Sequence, residues 1–176
     1  DTLDRLTIEF LADGRFHSGT EIAERLGISR TAVWKHVQRL ERFGLVVASL
    51  PGKGYRLSRP IDLLDQGRIR EEMPSETSEH LVCLSIENTL DSTNSALMKR
   101  ASEGALGGTA LLSEFQTQGR GRIGRSWLAP FGGGLCLSLL WRFQDPRQVA
   151  GLSLAVGVAL SRALVELGVE GLALKW

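Results

Sequence analysis

Residues 119–125 place three arginines and three glycines within seven positions, between two apolar runs that predict buried strands. Glycine lets the backbone approach a ligand closely and adopt positive φ. Arginine presents a fixed fork of donors that matches phosphate or carboxylate oxygens. No acidic residue occurs from Phe115 to Gln144, so no neighbouring carboxylate in the sequence neutralises these guanidinium groups. This segment, with Ser126 and Trp127 named here the arginine–glycine loop (residues 119–127), is therefore typical of an anion-binding loop.

Further polar residues stand at the ends of predicted strands. Asp-Ser-Thr-Asn at residues 91–94 lies between a predicted strand and a predicted helix. These side chains could simply cap the helix, or they could join its free N–H groups in binding a polar ligand. Gln116 ends the next strand, which is the usual place for a site residue in an α/β fold. Trp127 could cover an aromatic base or fill a core.

The first sixty residues predict a winged helix-turn-helix that positions a second kind of site. Residues 18–21 have the form of a capping box, and Gly27 predicts the turn between two helices. A third helix over residues 30–43 has apolar side chains at i, i+4 and i+7. Strands at residues 45–48 and 55–57 then form the wing.

Charge favours DNA as the partner of this module. Residues 30–59 carry seven basic residues against Glu41 alone. Trp34 could pack against the wing or contact a base. The predicted DNA contacts, suited to base edges or phosphates, are Arg30, Thr31, Lys35, Gln38, Arg39 and Lys53.

Beyond Ser58-Arg59-Pro60 the pattern changes to alternating strands and helices, which predicts a mixed α/β core. We expect a helix over residues 63–70, a polar connection at 71–79, and a long helix over 147–167. Strands are expected at 81–86, 108–115, 135–143 and 171–176, with a helix at 92–103. The overall fold class is α+β, with domains at residues 1–59 and 62–176.

Composition narrows the class of protein. The chain has 176 residues, 43% of them hydrophobic, and a net charge of +1, which is ordinary for a globular protein. Cys83 and Cys136 lack metal-ligand spacing, so we expect buried thiols, no metal site and a reducing compartment. The longest apolar stretch, residues 149–169, contains charged residues and predicts a core helix. We therefore expect a cytoplasmic protein with no membrane partner.

Taken together, residues 91–94, residues 114–116, the arginine–glycine loop and Leu174-Lys175-Trp176 resemble the biotin protein ligases. The winged helix in front is similar to the subgroup that also represses the biotin operon. The resemblance implies a catalytic domain related to class II aminoacyl-tRNA synthetases. It also implies biotin, ATP and Mg²⁺ as ligands, and operator DNA and the biotin carboxyl carrier protein of acetyl-CoA carboxylase as partners. A homodimer is implied for the ligand-bound form.

The resemblance assigns roles to individual positions. Arg120 and Arg122 would be catalytic, because they would neutralise the charge of the biotin carboxylate and the adenylate. Trp127 would pack near the adenine. The full set implied to bind biotin or biotinyl-AMP is Ser92, Thr93, Asn94, Gln116, Gly119, Arg120, Gly121, Arg122 and Trp127.

The resemblance also bears on how much of the catalytic domain this chain contains. The family continues with a Pro-Asn-Asp segment, a lysine, more sheet and a small β domain, so we expect an incomplete catalytic domain with an exposed sheet edge.

A non-enzymatic regulator that senses a small anion is an alternative function. A lipoate-type ligase is a third, although it explains the arginine–glycine loop and the winged helix less well.

Overall fold

The computed structural model describes residues 2–121 and 124–174. The described residues form two compact units, one ending at Leu140 and the other beginning at Trp141. The first unit combines helices with a two-stranded and a three-stranded sheet, so the predicted α+β class is confirmed. The division into domains at residues 1–59 and 62–176 stays a prediction.

Three helices open the chain: α1 (Thr2–Leu11), α2 (Gly19–Leu26) and α3 (Arg30–Arg39). The predicted capping box starts α2. The Ser18 hydroxyl accepts the Glu21 N–H at 3.0 Å, and the Glu21 carboxylate accepts the Ser18 N–H at 3.3 Å. Gly27 ends the helix with φ 65°, a left-handed conformation that glycine adopts without strain. Local chemistry alone therefore fixes both ends of α2.

The helices enclose an apolar core that the spacing predicts. Val33, Val37 and Leu40 all turn inward, as expected for one helical stripe. Burying an aliphatic side chain of this size stabilises the fold by about 1.5–3 kcal/mol. The buried members of the core in the three helices and the following turn are Ile8, Leu11, Ile22, Ala23, Val33, Val37, Leu40 and Phe43.

Removing the capping hydroxyl with Ser18→Ala is expected to destabilise the protein by about 1 kcal/mol, because the Glu21 N–H loses its acceptor. Denaturant unfolding monitored by circular dichroism measures this change. The matched control is Thr20→Ala, since Thr20 is an exposed residue of the same helix turn. Equal unfolding midpoints for Ser18→Ala and Thr20→Ala would contradict the role of the cap.

The wing consists of β1 (Val47–Leu50) and β2 (Gly54–Leu57), which pair antiparallel with Leu50 opposite Gly54. A 3₁₀ turn at Leu40–Phe43 follows α3, so the helix predicted over residues 30–43 changes its hydrogen bonding near its end. The first strand begins two residues later than predicted. The reason is that Leu45 is buried in the helical core, and its N–H bonds to the Leu40 carbonyl at 3.3 Å.

The second sheet has the order β3–β4–β5, with β3 (Cys83–Leu90), β4 (Thr109–Gln116) and β5 (Cys136–Leu140). β3 and β4 are parallel, and β5 is antiparallel to β4. β4 is therefore central, and its residues 109–114 are all buried. In the described part of the chain β5 lies at the edge, where Leu137 and Leu139 are about half exposed (49% and 56%).

Helix α6 (Thr93–Ser102) connects the two parallel strands and packs against β4 and β5. Leu90 at the end of β3 lies opposite Gln116 at the end of β4. Parallel strands end at the same edge of a sheet, so the start of α6 and the end of β4 come together there. This edge positions the candidate site.

Two short helices precede the sheet: α4 (Gln66–Glu72) and α5 (Ser75–His80). The helix predicted at residues 63–70 thus lies about three residues later. Asp65 sets its start, because the side chain accepts the Arg68 N–H at 2.9 Å. The connection predicted at residues 71–79 contains α5, which begins directly after Pro74.

The second unit holds helix α7 (Leu152–Glu166), preceded by a 3₁₀ turn at Pro146–Val149. The single helix predicted over residues 147–167 is interrupted because Gly151 is left-handed (φ 79°). No residue of α7 is buried within its own unit, and the predicted core position stays a prediction. By length and hydropathy, Arg147–Glu166 could also span a membrane, a property shared with core helices of soluble proteins. Residues 171–174 do not form the strand predicted there, and Lys175 and Trp176 lie outside the described residues.

Candidate functional site

The strand-end residues predicted to bind a ligand meet in one hydrogen-bonded group. The Gln116 side-chain oxygen accepts the Thr93 N–H at 2.7 Å and the Thr93 hydroxyl at 3.2 Å. Ser92 caps α6 by accepting the Ser95 N–H at 3.5 Å. Both Ser92 and Thr93 are buried, whereas Asn94 is exposed on the first turn. Helix capping and ligand binding are thus compatible here, because Ser92 caps while Asn94 faces outward.

Two residues of β5 complete the group, although the sequence did not single them out for this site. The Ser138 hydroxyl donates to the Thr93 hydroxyl oxygen at 2.9 Å. Burial raises the pKa of the Cys136 thiol, and a hydrogen bond with Gln116 opposes that rise. The thiol therefore stays neutral near pH 7. Cys136 is buried as expected, whereas Cys83 is exposed, so the expectation of a buried thiol is wrong for Cys83. A polar side chain inside the apolar run 135–140 was the signal that could have identified Ser138.

The arginine–glycine loop folds back on itself as a hairpin. The Trp127 N–H donates to the Gly119 carbonyl at 2.7 Å, and the Gly121 N–H donates to the Arg125 carbonyl at 2.6 Å. Arg120 and Arg125 are exposed, and Trp127 is 58% exposed, so Trp127 does not fill a core. Arg122 lies outside the described residues.

Gly119 joins the loop to the strand-end group. It is buried, and a Cβ placed there would lie 3.2 Å from the Gln116 amide nitrogen. The Gln116 oxygen thus faces Thr93, while its NH₂ group, a donor, faces the base of the loop. The arrangement offers an amide donor, polar helix-terminal groups and surface guanidinium groups to a ligand with a polar head and an anionic tail.

Two acidic side chains outside the predicted ligand-binding set are buried in the first unit. Glu114, two residues before Gln116, accepts the Leu64 N–H at 2.7 Å. Burial raises the pKa of Glu114, whereas the Leu64 hydrogen bond and Arg5 lower it. Asp4 is fully buried and lies 2.6 Å from His36. The signal for Asp4 was its place on the buried stripe of α1 with Ile8 and Leu11.

All six residues predicted to contact DNA are exposed: Arg30, Thr31, Lys35, Gln38, Arg39 and Lys53. A cavity of about 670 Å³ lies between the start of α2, the start of α3 and the wing. Trp34 lines this cavity beside Arg30 and is 53% exposed. Of the six predicted contacts, Arg30 and Thr31 line this cavity, and the other four are exposed outside its lining.

His17, beside this surface, predicts a pH-dependent stability. Burial lowers the pKa of its ring, but hydrogen bonds to Asp13 (3.0 Å) and Glu21 (3.2 Å) raise it above 6.5 overall. The stabilisation is then fully present below the unfolded-state pKa and is lost as pH rises through the folded-state pKa.

We expect the wild type to have a larger unfolding free energy than His17→Gln near pH 5.5. This difference should shrink towards pH 9, because the His17 ring loses its charge; the range brackets the ordinary His pKa of about 6.5. Chemical denaturation across that range measures it. Asp13→Asn should reduce the same pH dependence. A difference that does not change with pH would refute the assignment.

The described residues contain no group of three His, Cys, Asp or Glu side chains able to hold a metal ion. The chain has no acidic residue from Phe115 to Gln144, a range that includes the arginine–glycine loop. The described residues therefore offer no site that would hold a divalent cation by protein side chains alone.

Comparison with known proteins agrees with both parts of the chain. A model described as an HTH domain matches residues 5–56, and the model of the biotin/lipoate A/B protein ligase family matches residues 86–174. The predicted order of a helix-turn-helix followed by a ligase domain is thereby confirmed.

Among curated proteins, the chain is similar along its whole length to the bifunctional ligase/repressor BirA of Salmonella typhimurium (44% identity) and of Escherichia coli (40%). It covers 53% of each, so it spans about half the length of these relatives. A biotin–[acetyl-CoA-carboxylase] ligase of Mycobacterium tuberculosis is 47% identical over 72 residues, 39% of this chain and 27% of that protein. The ligase match alone covers just over half of the 176 residues, and the chain belongs to the biotin/lipoate A/B protein ligase family.

Proposed function

We propose that the protein carrying this chain is a biotin protein ligase that also acts as a biotin-responsive repressor. The observation that carries the proposal is the Ser92–Thr93–Gln116 group, which lies at one sheet edge and directly joins the arginine–glycine loop through Gly119. The names of the relatives, which pair ligase with repressor, support the same assignment.

The reaction has two steps. The biotin carboxylate attacks the α-phosphorus of ATP, which forms biotinyl-5′-AMP and releases pyrophosphate. A lysine amine of the biotin carboxyl carrier protein of acetyl-CoA carboxylase then attacks the acyl carbon. An amide forms, AMP leaves, and the amine gives up a proton.

The chain's residues have distinct roles in this proposal. Gln116 and Asn94 hydrogen-bond the ureido ring of biotin, while Ser92 and Thr93 shape the pocket and hold Gln116 in place. Arg120 and Arg122 neutralise the carboxylate and the phosphate, two anions that otherwise repel each other. Gly119 and Gly121 let the loop fold over the intermediate and exclude water, and Trp127 packs near the adenine. ATP brings Mg²⁺ bound to its phosphates and water.

DNA is the second partner in the proposal. Arg30, Gln38 and Arg39 suit base edges, and Thr31, Lys35 and Lys53 suit phosphates. The cavity between α2, α3 and the wing has room for a stretch of sugar–phosphate backbone. The protein binds its operator as a ligand-loaded homodimer in the cytoplasm, where the free thiols Cys83 and Cys136 stay reduced.

Calorimetric titration of the full-length protein with biotin, and separately with lipoate, tests the substrate. Saturable binding of biotin at micromolar concentration or below, with no binding of lipoate, is expected. The family description covers both acids, so tighter binding of lipoate would replace the biotin assignment with a lipoate-type ligase. No binding of biotin would overturn the proposal.

A further inference from the structure

A buried ion pair connects the candidate ligand-binding strand to the first helix of the winged helix. The Glu114 side chain is only 1% exposed, and its Oε1 lies 3.6 Å from Nη1 of Arg5 on α1. The same oxygen accepts the Leu64 N–H at 2.7 Å. Since Glu114 lies two residues before Gln116, the pair is joined to the ligand site by a short length of β4.

Arg5 lies between two carboxylates, those of Glu9 and Glu114. Its Nε bonds Glu9 at 2.6 Å, and its guanidinium carbon lies 5.7 Å from the Phe131 ring centre. Nη1 is buried and has no hydrogen-bond partner among the described residues, so Glu114 is the carboxylate it faces. Removing the partner of a buried charge is strongly destabilising, and Glu114 is the more deeply buried member of this pair.

An aromatic cluster makes a second contact at the same place. The Phe43 ring, at the end of the 3₁₀ turn, packs edge-on against Phe115 (5.4 Å between centroids) and Phe131 (5.7 Å). The Phe131 N–H donates to the Phe43 carbonyl at 2.8 Å. Residues 114 and 115 thus contact the winged helix, while the next residue, Gln116, bonds Thr93. Both contacts thus lie within two residues of Gln116 along β4.

Helix α1 extends the connection to the DNA-facing helix. Asp4, adjacent to Arg5, lies 2.6 Å from the Nδ1 atom of His36 on α3 and also pairs with Arg42. His36 is buried between the exposed DNA candidates Lys35 and Gln38. Polar contacts thus join β4 to Arg5 on α1 and, from the adjacent residue Asp4, join α1 to α3.

We propose that Arg5 and Glu114 form a latch that couples occupancy of the Thr93–Gln116 site to the position of α1 and, through Asp4 and His36, to that of α3. The inference rests on the proposed biotin site and identifies how that site reaches the DNA-binding module. Arg5 and Glu114 are positioning residues, because neither bonds Thr93 or Gln116 directly.

Hydrogen exchange of the full-length protein, with and without saturating biotin, tests the latch. In the wild type, biotin should slow exchange both at Thr93 and in the amides of α1, the latter by about fivefold or more, the lower end of common coupling effects. Arg5→Met and Glu114→Gln should abolish the change in α1 and leave that at Thr93. In Glu114→Gln the glutamine oxygen can still accept the Leu64 N–H. The double variant Arg5→Met/Glu114→Gln leaves no unpaired buried charge, so we expect at least one of these variants to remain folded.

Glu9→Gln is the matched control, because it removes the other carboxylate partner of Arg5 and leaves the latch intact. It should behave as the wild type. Two results would overturn the latch. One is a biotin effect on α1 that persists in Arg5→Met, in Glu114→Gln and in the double variant. The other is a wild type in which biotin slows exchange at Thr93 but not in α1. A wild type without protection at Thr93 would instead contradict the biotin site itself.

Discussion

Replacing Gly119 with alanine is expected to weaken biotin binding by about 10- to 100-fold. The added methyl carbon would lie 2.6 Å from the Trp127 carbonyl oxygen and 3.2 Å from the Gln116 amide nitrogen. Overpacking of this kind costs about 1–3 kcal/mol, which here must displace the hairpin or rotate Gln116. Calorimetric titration of the full-length protein with biotin measures the effect.

Gly134→Ala is the matched control for this substitution. Its nearest neighbour would be the Ala129 methyl group at 3.6 Å, an ordinary contact. Biotin affinity should stay within about twofold, because well-tolerated surface changes alter free energies by less than about 0.5 kcal/mol. If Gly119→Ala bound biotin as tightly as Gly134→Ala, the loop would not be part of the binding site.

Gln116→Glu is expected to separate the structural role of Gln116 from its binding role. A carboxylate can still accept both Thr93 hydrogen bonds, so unfolding should change little. The NH₂ donor beside Gly119 is lost, however, and biotin affinity should fall about 10- to 100-fold, since an unpaired buried acceptor costs about 1–3 kcal/mol. Titration with biotin and thermal unfolding, measured on the same samples, check both parts.

Gln116→Leu provides the comparison, because it removes acceptor and donor together. The buried Thr93 N–H then lacks its partner, so this variant should lose stability as well as affinity, by about 1–3 kcal/mol. Unchanged biotin affinity in Gln116→Glu would show that the amide nitrogen does not contact the ligand.

Much of the winged helix could be predicted from the sequence because its signals are local. The capping box at Ser18, the left-handed Gly27 and the spacing of Val33 and Val37 each act within a few residues of chain. Packing explains the main difference between the predicted and the observed secondary structure of the winged helix. Leu45 is drawn into the helical core, so the wing strand begins at Val47.

The candidate site was partly predictable for a topological reason. Two parallel strands must end at one edge, and this brings Thr93 to Gln116. Partners fixed only by tertiary structure could not be found in the same way. Ser138 meets Thr93 across 45 residues, and Glu114 meets Leu64 across 50. The predicted core position of α7 stays a prediction, because periodicity and composition do not specify what a helix packs against.

The measurement that most directly tests the ligase assignment is mass spectrometry of a biotin carrier domain incubated with the full-length protein, biotin, ATP and Mg²⁺. We expect the carrier to gain the mass of one biotinyl group on its target lysine, and to gain none when ATP is omitted. Gly119→Ala should slow this gain, whereas Gly134→Ala should not. A protein that binds biotin but leaves the carrier mass unchanged would contradict the ligase assignment and leave a non-enzymatic biotin-sensing regulator.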